Sequence, residues 1–177
     1  MPKKTQIAEV VVSRNRLKKR IKELARKISR DYKGKELVLI GILKGSVVFL
    51  ADLLREINIP VEIDFIQVSS YGASKTSFGV IKIKKDIDLP IVGKHVLLVE
   101  DIIDHGYTMH YLLKSLKVKK PKSIRVCALL DKPARREVPV PLAYKGFEVP
   151  DKFVVGYGLD LAEKLRNLPY IANLSPA

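Results

Sequence analysis

Cysteine, long apolar runs and acidic residues are all scarce in this sequence of 177 residues. The single cysteine, Cys127, excludes a disulfide framework and a zinc site built on cysteine ligands. It lies in the run Ile124–Leu130, so we interpret it as a small buried side chain rather than a nucleophile. Met1–Gln6 is polar and Lys44 interrupts the longest apolar segment, so neither a signal peptide nor a transmembrane helix is predicted. We therefore expect a soluble, cytoplasmic protein without a membrane partner.

The shortage of acidic residues leaves a strongly basic chain. Nineteen Asp and Glu stand against 33 Lys and Arg, so the formal net charge is +14. This balance favours an anionic partner, such as nucleic acid, an acidic membrane surface or a phosphorylated small molecule. Many of the basic residues, however, lie on Arg14–Lys35, whose apolar residues repeat at helical spacing. We therefore interpret them as the solvated face of an amphipathic helix and expect no nucleic-acid partner.

The composition and pattern predict one folded α/β domain. Hydrophobic residues make up 47% of the chain, and no repeat or linker divides residues 1–177. Apolar runs alternate with helical spacing, which predicts a mostly parallel twisted sheet flanked by helices. The predicted helices are a first one that Ser13 caps and that ends near Gly34, then Ser46–Ile57 and Tyr107–Leu116. The predicted strands are Glu36–Leu43, Val61–Val68, Gly79–Lys85, His95–Val99, Ser123–Leu130 and Lys152–Tyr157.

Several charged or polar residues follow closely on a predicted strand. In open α/β sheets, ligands bind outside the carboxyl ends of the strands. We therefore expect these residues to converge at one edge of the sheet and to form a site, although they are far apart in the chain. They are Lys44, Ser70, Tyr71, Glu100, Asp101, Asp104, Lys132 and Asp160.

The run Val96–Thr108 joins an apolar strand to three carboxylates and a turn that contains glycine. The backbone N–H groups of such a turn and the positive end of the next helix suit a phosphate, and Gly106 allows a close approach. The neighbouring carboxylates Glu100 and Asp101 are costly beside a phosphate unless a cation lies between them, and Mg²⁺ is the usual one. On the residues alone, a polar strand end with Asp104 capping the helix explains the run equally well.

The same run resembles the 5-phosphoribosyl 1-pyrophosphate (PRPP) signature of the type I phosphoribosyltransferases, and in particular of their hypoxanthine-guanine members. Four further segments resemble that family in the right order and cover nearly the whole chain beyond Glu36. They are the pyrophosphate loop (Ile42–Ser46), the catalytic loop (Ser69–Gly72), the lysine segment (Leu129–Pro133) and the purine segment (Pro150–Asp160), with Arg166 following. The resemblance implies the type I phosphoribosyltransferase fold, with a small hood subdomain formed by the N-terminal segment and about residues 132–177.

The resemblance implies a purine-salvage reaction. Hypoxanthine or guanine would react with PRPP to give IMP or GMP and pyrophosphate, through an oxocarbenium-like ribose. Glu100 and Asp101 would hold the ribose hydroxyls and one Mg²⁺, and Asp160 would bind a second Mg²⁺. Asp104 would be the general base or acid at purine N7. The residues implied to bind PRPP and its phosphates are Lys44, Gly45, Glu100, Asp101, Asp104, His105, Gly106, Tyr107, Thr108 and Arg166.

The purine contacts are implied in the same way. Lys132 would donate to the 6-oxo group, which favours hypoxanthine and guanine over adenine, and Phe153 would stack on the base. Without the resemblance, Lys132 fits a solvated turn residue and Phe153 fits a core residue. The implied purine-binding residues are Lys132, Lys152, Phe153, Val154 and Asp160, while Ser70 and Tyr71 would close over the reacting centre.

One position departs from the family pattern. Where the family carries Thr or Ser, whose hydroxyl binds the 5′-phosphate, this chain has His105. Our hypothesis is that phosphate binding rests more on the amides of the turn, with a pH-dependent contribution from His105.

Two other functions remain open on the sequence. A regulator of the same fold would bind nucleic acid and respond to PRPP, although it would not need the purine-site residues. A phosphoribosyltransferase for xanthine, adenine or a pyrimidine is the other, although Lys132 argues against adenine. The family generally forms dimers or tetramers, and we expect a homodimer or homotetramer that acts on small-molecule substrates.

Overall fold

The structure is a computed structural model, and it describes residues 7–71 and 80–175. The strands in this part of the chain are β1 (Ile7–Val12), β2 (Leu37–Leu43), β3 (Glu62–Tyr71), β4 (Val80–Lys85), β5 (His95–Ile103), β6 (Ser123–Asp131), β7 (Leu142–Glu148), β8 (Val154–Val155) and β9 (Ile171–Leu174). The helices are α1 (Arg14–Asp31), α2 (Val47–Glu56) and α3 (Tyr107–Lys117), with a 3₁₀ helix at Pro133–Arg135. None of the described helices is long and apolar enough to cross a membrane.

The larger sheet has six strands in the order β4-β3-β2-β5-β6-β7. Its five strands β3, β2, β5, β6 and β7 are parallel, and β4 lies antiparallel at the edge. One hydrophobic cluster packs α1 and α2 on one face, and a second cluster packs α3 on the other. Because both faces are covered, β2 is a continuous buried apolar run. The predicted mostly parallel sheet with flanking helices is confirmed.

A second, antiparallel sheet joins the two ends of the described chain in the order β1-β9-β8. The prediction of a strand over Lys152–Tyr157 is wrong in extent, because only Val154 and Val155 pair with β9. The sequence pattern also missed β1, β7 and β9. The segment of β1, IAEVVV, is almost continuously apolar and so lacks the alternation that predicts a half-exposed strand, and four of its six residues are exposed.

Two strands extend further than predicted, and both extensions bear on the site. Strand β5 continues to Ile103 because it stays paired with β6 up to Ile103 and Asp131, so Glu100 and Asp101 lie inside the strand. Strand β3 continues to Tyr71 through its pairing with β4. The backbone of Ser70 and Tyr71 therefore belongs to β3, whereas their side chains and the rest of the catalytic loop, Gly72, lie outside the described residues.

The first helix is amphipathic, as predicted. The Ser13 hydroxyl caps it by accepting a hydrogen bond from the Arg16 backbone N–H at 3.4 Å. Leu17, Ile21 and other apolar residues on one face are buried, while most of the basic residues are exposed. Cys127 is fully buried, and burial raises its pKa to about 12, so the interpretation as a buried side chain is confirmed.

Candidate active site

The turn between β5 and α3, which we call the phosphate turn (Asp104–Thr108), encloses a cavity. The cavity has a volume of about 210 Å³ and is lined by residues 100–109. Gly106 is the N-cap residue with φ 97°, and a Cβ there would lie 2.4 Å from the Val138 carbonyl oxygen. Only glycine therefore fits this position. No side chain caps α3, so the interpretation of Asp104 as a helix cap is wrong.

The neighbouring carboxylates Glu100 and Asp101 lie beside this turn. Their hydrogen bonds come from the chain directly after them: the Asp101 backbone N–H donates to Glu100 Oε1 at 3.2 Å, and that of Ile102 to Asp101 Oδ1 at 2.8 Å. Neither carboxylate forms an ion pair with any described Lys, Arg or His. Burial raises the pKa of Glu100 well above its usual range, and the charge of Asp101 adds to this. Burial also raises the pKa of Asp101.

The pyrophosphate loop and the purine segment meet at this pair. A Cβ on Gly45 would lie 1.7 Å from Asp101 Oδ2, so the loop backbone presses directly against that carboxylate. On its other side, a Cβ on Gly158 would lie 2.0 Å from the Gly45 carbonyl oxygen. The pyrophosphate loop, the PRPP signature and the purine segment, which the sequence predicted to share a site, are therefore in contact. The peptide bond between Leu43 and Lys44 is cis.

The two cations near this junction are held by acidic residues. Lys44 Nζ lies 3.0 Å from Glu163 Oε2, and Arg166 Nη2 lies 3.2 Å from the same oxygen. Arg166 also binds Asp160 Oδ1 at 2.9 Å and donates to the Gly158 carbonyl at 2.7 Å. Hydrogen bonds from Lys44 and then Arg166 lower the pKa of Glu163. The sequence did not predict Glu163, because an exposed acidic residue outside every motif carries no signal of its own.

The residues predicted to contact a purine are placed around the end of β6. Lys132 is only 4% exposed, its backbone N–H donates to the Ile103 carbonyl at 3.0 Å, and its side chain has no ion pair or hydrogen bond with a described residue. The interpretation of Lys132 as a solvated turn residue is therefore wrong. Phe153 is 57% exposed, so the interpretation as a core residue is also wrong, whereas Val154 beside it is buried. Lys152 Nζ lies 3.8 Å from Glu9 on β1.

The carboxylate of Asp104 lies between a cation and a histidine. Its Oδ2 is 3.3 Å from Arg135 Nη1, and its Oδ1 is buried without a hydrogen-bond partner among the described residues. His105 lies 3.8 Å from that Oδ1 and 3.7 Å from Glu137, which also accepts a hydrogen bond from the Tyr107 hydroxyl at 2.8 Å. Arg135 and Glu137 were not predicted, although the consecutive arginines after the lysine segment were a usable signal.

The donor set of the carboxylate pair fits a hard cation. Glu100 is buried and Asp101 is half-buried, and neither carboxylate has a direct ion pair with a described cation. Mg²⁺ typically binds one or two carboxylates while water and substrate oxygens complete its shell. The described residues contain no group of three or more His, Cys, Asp or Glu side chains that could hold a metal. Both oxygens of Asp160 are engaged, by Arg166 and by the Glu163 backbone N–H.

Comparison with known proteins adds to this geometry. A family model, the phosphoribosyl transferase domain, matches residues 11–162. The hypoxanthine phosphoribosyltransferase of Haemophilus influenzae is 50% identical over 169 residues, which cover 94% of each chain. The hypoxanthine-guanine phosphoribosyltransferase of Bacillus subtilis is 47% identical over 174 residues, covering 98% of this chain and 97% of that one. A crystal structure of a hypoxanthine-guanine phosphoribosyltransferase from Bacillus anthracis superimposes with a TM-score of 0.92 at 50% identity, covering 96% of this chain and all of that one.

Proposed function

Since the chain belongs to the type I phosphoribosyltransferases, and among them to the hypoxanthine-guanine enzymes of purine salvage, we propose that the site around Glu100, Asp101 and Asp104 carries the transfer. The reaction joins hypoxanthine or guanine to PRPP and yields IMP or GMP and pyrophosphate. The observation that carries the residue assignments is the contact of Gly45 with Asp101, because it joins the pyrophosphate loop to the predicted PRPP signature.

Pyrophosphate departs from the side of the site that holds Lys44 and Arg166. Breaking the anomeric C–O bond leaves positive charge on the ribose and negative charge on the leaving group, so fixed cations and amides lower the barrier. Both cations pair with Glu163, whose side chain is 65% exposed, and exposed ion pairs are weak. They can therefore exchange Glu163 for pyrophosphate oxygens at little cost.

Mg²⁺ would be held by Glu100 and Asp101, and a second ion by Asp160. When bound, it supplies positive charge that neutralises the phosphate oxygens of PRPP. The assignment is supported by the pKa values of Glu100 and Asp101, which burial raises and which no direct ion pair with a described cation lowers. The same two carboxylates accept hydrogen bonds from the ribose hydroxyls and so orient the sugar.

The 5′-phosphate binds at the phosphate turn, whose residues line the cavity together with the first residues of α3 and whose backbone N–H groups suit an anion. His105 replaces the hydroxyl residue of the family and lies near Asp104 and Glu137. Its protonation changes the charge beside the phosphate, so we propose that PRPP affinity depends on pH through this residue. Thr108 and Tyr107 belong to the same turn and complete the predicted phosphate-binding set.

The purine is bound between Phe153 and the end of β6. The exposed ring of Phe153 stacks on the base, and Lys132, which no described side chain partners, donates to the 6-oxo group. Asp104 exchanges a proton with purine N7, while Lys152 and the backbone of Val154 contact the base edge. Closure of the catalytic loop by Ser70 and Tyr71 stays a prediction.

The test of the proposal is pyrophosphate release in the presence of PRPP and Mg²⁺. Hypoxanthine, guanine, xanthine and adenine are offered separately to the wild type, Asp104→Asn and the matched control Asp88→Asn, whose carboxylate is exposed and pairs with Lys85. We expect turnover with the first two bases, a loss of at least about 100-fold in Asp104→Asn, and full activity in the control. Equal activity in all three proteins would overturn the assignment of Asp104.

We also propose a cytoplasmic homodimer or homotetramer, as the family resemblance implies. Light scattering of the purified protein at several concentrations measures the assembly, and a monomer at all of them would contradict it.

A further inference from the structure

Two consecutive arginines, Arg135 and Arg136, bind the side chain and the backbone of Asp104, respectively. Arg136 Nε donates to the Asp104 carbonyl at 2.9 Å, and Arg136 Nη2 donates to the Ile103 carbonyl at 3.2 Å and forms an ion pair with the buried Asp131. Arg135 Nη1 lies 3.3 Å from the Asp104 carboxylate oxygen Oδ2. The backbone and the side chain of Asp104 are thus each fixed by a separate guanidinium.

The other carboxylate oxygen of Asp104, Oδ1, lacks a hydrogen-bond partner among the described residues. Oδ1 is buried and accepts no hydrogen bond from a described residue, and the nearest ring nitrogen of His105, at 3.8 Å, is too far to donate one. Buried acceptors are nearly always satisfied, and an unsatisfied one is costly. Since Oδ2 pairs with Arg135, Oδ1 keeps hydrogen-bonding capacity that no described residue uses.

Arg135 also reaches the purine segment. Its Nε lies 3.6 Å from Asp151 Oδ1, next to Lys152 and Phe153. Arg135 itself ends the 3₁₀ helix that follows Lys132. This one side chain therefore connects the three parts of the chain that surround the purine: the phosphate turn, the end of β6 and the purine segment.

We propose that Arg135 is a positioning residue for the purine step: it binds Oδ2 of Asp104, so that the carboxylate keeps the orientation in which it meets the N7 side of the base, and it ties this carboxylate to the purine segment through Asp151. The inference rests on the proposed role of Asp104. Arg135 touches neither substrate in this scheme, and it acts through the orientation of Asp104, while Arg136 holds the backbone beneath.

The size of the effect follows from exposure. The side chains of Arg135 and Asp104 are 40% and 34% exposed, so solvent screens their attraction. We expect Arg135→Ala to lower kcat/KM for hypoxanthine by about fivefold. The KM for PRPP should stay unchanged, because the phosphate and pyrophosphate contacts do not involve Arg135. Arg135→Lys, which keeps the charge but not the fork, should recover part of the loss.

The experiment compares Arg135→Ala and Arg135→Lys with Arg30→Ala, a control on α1 whose arginine is 75% exposed and pairs with its neighbour Asp31. Steady-state kinetics give kcat and both KM values for each protein, and thermal unfolding gives its stability. An Arg135→Ala enzyme equal to the control in kcat/KM for hypoxanthine would overturn the inference. An equal loss in PRPP and purine parameters, in proportion to lost stability, would overturn it as well.

A double-mutant cycle separates this inference from the function on which it rests. If Arg135 acts through Asp104, then Arg135→Ala costs nothing further in the Asp104→Asn background. Additive losses would show that Arg135 acts independently and would overturn the inference alone. Wild-type activity in Asp104→Asn would overturn the proposed role of Asp104 and the inference together.

Discussion

Two carboxylate sites buried in the same sheet have opposite electrostatics. Asp64 on β3 is 7% exposed and accepts hydrogen bonds from three backbone N–H groups, those of Phe65, Asp88 and Leu89, at 2.7, 2.7 and 2.8 Å. Burial alone would raise the pKa of Asp64, but these hydrogen bonds hold it below the ordinary value. At the pair Glu100 and Asp101, burial raises the pKa of both groups.

The difference shows how a structural carboxylate differs from one kept for a ligand. Asp64 fixes the loop after β4, and Lys85 supplies a nearby cation at 3.7 Å. Folding therefore completes the shell of Asp64. At Glu100 and Asp101 folding removes water and supplies no direct ion pair with a described residue. The charge of Arg166 acts on Asp101 from a greater distance and does not offset the burial, so a bound cation would complete the site. The cations Lys44 and Arg166 stand close by but are paired with other acids.

The largest expected effect is a loss of activity when the carboxylates of Glu100 and Asp101, but not that of Asp64, are neutralised. Glu100→Gln with Asp101→Asn removes the charge that we assign to cation binding, and transfer should fall by about 1,000-fold. Asp64→Asn is the matched change at the structural site and should leave kcat within about twofold at a temperature where the protein is folded. Steady-state assays at saturating Mg²⁺ and PRPP compare the two. Similar losses in both proteins would refute the distinction.

A second large effect tests the contact between the pyrophosphate loop and Asp101. In Gly45→Ala the new Cβ would overlap Asp101 Oδ2, so loop and carboxylate must separate. A displacement of about 1 Å at a reacting centre costs about 100-fold in rate. Gly34 has a positive φ of 73°, and a Cβ there would have no atom within 4 Å. Gly34→Ala should therefore lower stability through backbone strain and leave kcat unchanged. An active Gly45→Ala enzyme would contradict the described junction.

Neutralising the carboxylate should change the free energy of unfolding, measured without ligands, differently at the two sites. Asp64→Asn should lower the free energy of unfolding at pH 7 by about 2 kcal/mol, since it loses charge-assisted hydrogen bonds. Glu100→Gln should not lower it, because it removes a buried charge that lacks a partner.

The free energy of unfolding should depend on pH in opposite directions at Asp64 and at Glu100. The lowered pKa of Asp64 contributes stability that is present above about pH 4 and is lost as the pH falls below it. The raised pKa of Glu100 means that the folded state binds the extra proton, so stability rises as the pH falls from neutrality toward about 4. Urea unfolding of the wild type and both variants at several pH values measures the two trends. Parallel curves for all three proteins would contradict the comparison.

The smallest effect concerns the paired cations. Glu163→Gln removes the exposed acid that pairs with Lys44 and Arg166 and leaves Arg166 paired with Asp160 alone, so the KM for PRPP should fall by about twofold to threefold while kcat changes little. Glu23→Gln, which removes an exposed acid paired with Arg20 on α1, is the control and should change neither value. A higher KM for PRPP in Glu163→Gln would mean that Glu163 helps to bind the substrate.

His105 offers a measurement that sharpens the picture of the phosphate turn. PRPP affinity is measured from about pH 5.5 to about pH 8.5 for the wild type and His105→Thr. We expect the profile of the wild type to show an extra rise toward acidic pH that the variant lacks. Superimposable profiles would show that the histidine adds no charge to phosphate binding.

Prediction from the sequence succeeded where a segment carries its own local pattern. Strand β5 with its carboxylates and the glycine turn are contiguous, so their position at the end of the strand and before α3 was predictable from the sequence. The helix α1 was likewise readable from its spacing and its Ser13 cap.

The parts that were missed depend on contacts between distant segments. Strand β1 forms by pairing with β9, more than 150 residues away, and its short run IAEVVV has no alternation that would have indicated an exposed edge strand. The burial of Lys132 results from the packing of the β6 end against β5, which no local pattern reports. The ion pair of Arg135 with Asp104 and that of Glu163 with Lys44 arise in the same way.

The most direct test of the carboxylate comparison is calorimetric titration with Mg²⁺ in the presence of pyrophosphate. We predict saturable binding to the wild type and to Asp64→Asn, and none to the protein that combines Glu100→Gln with Asp101→Asn. Binding of equal strength to the doubly substituted protein would contradict the central claim, because the buried pair would then not be the group that a cation completes.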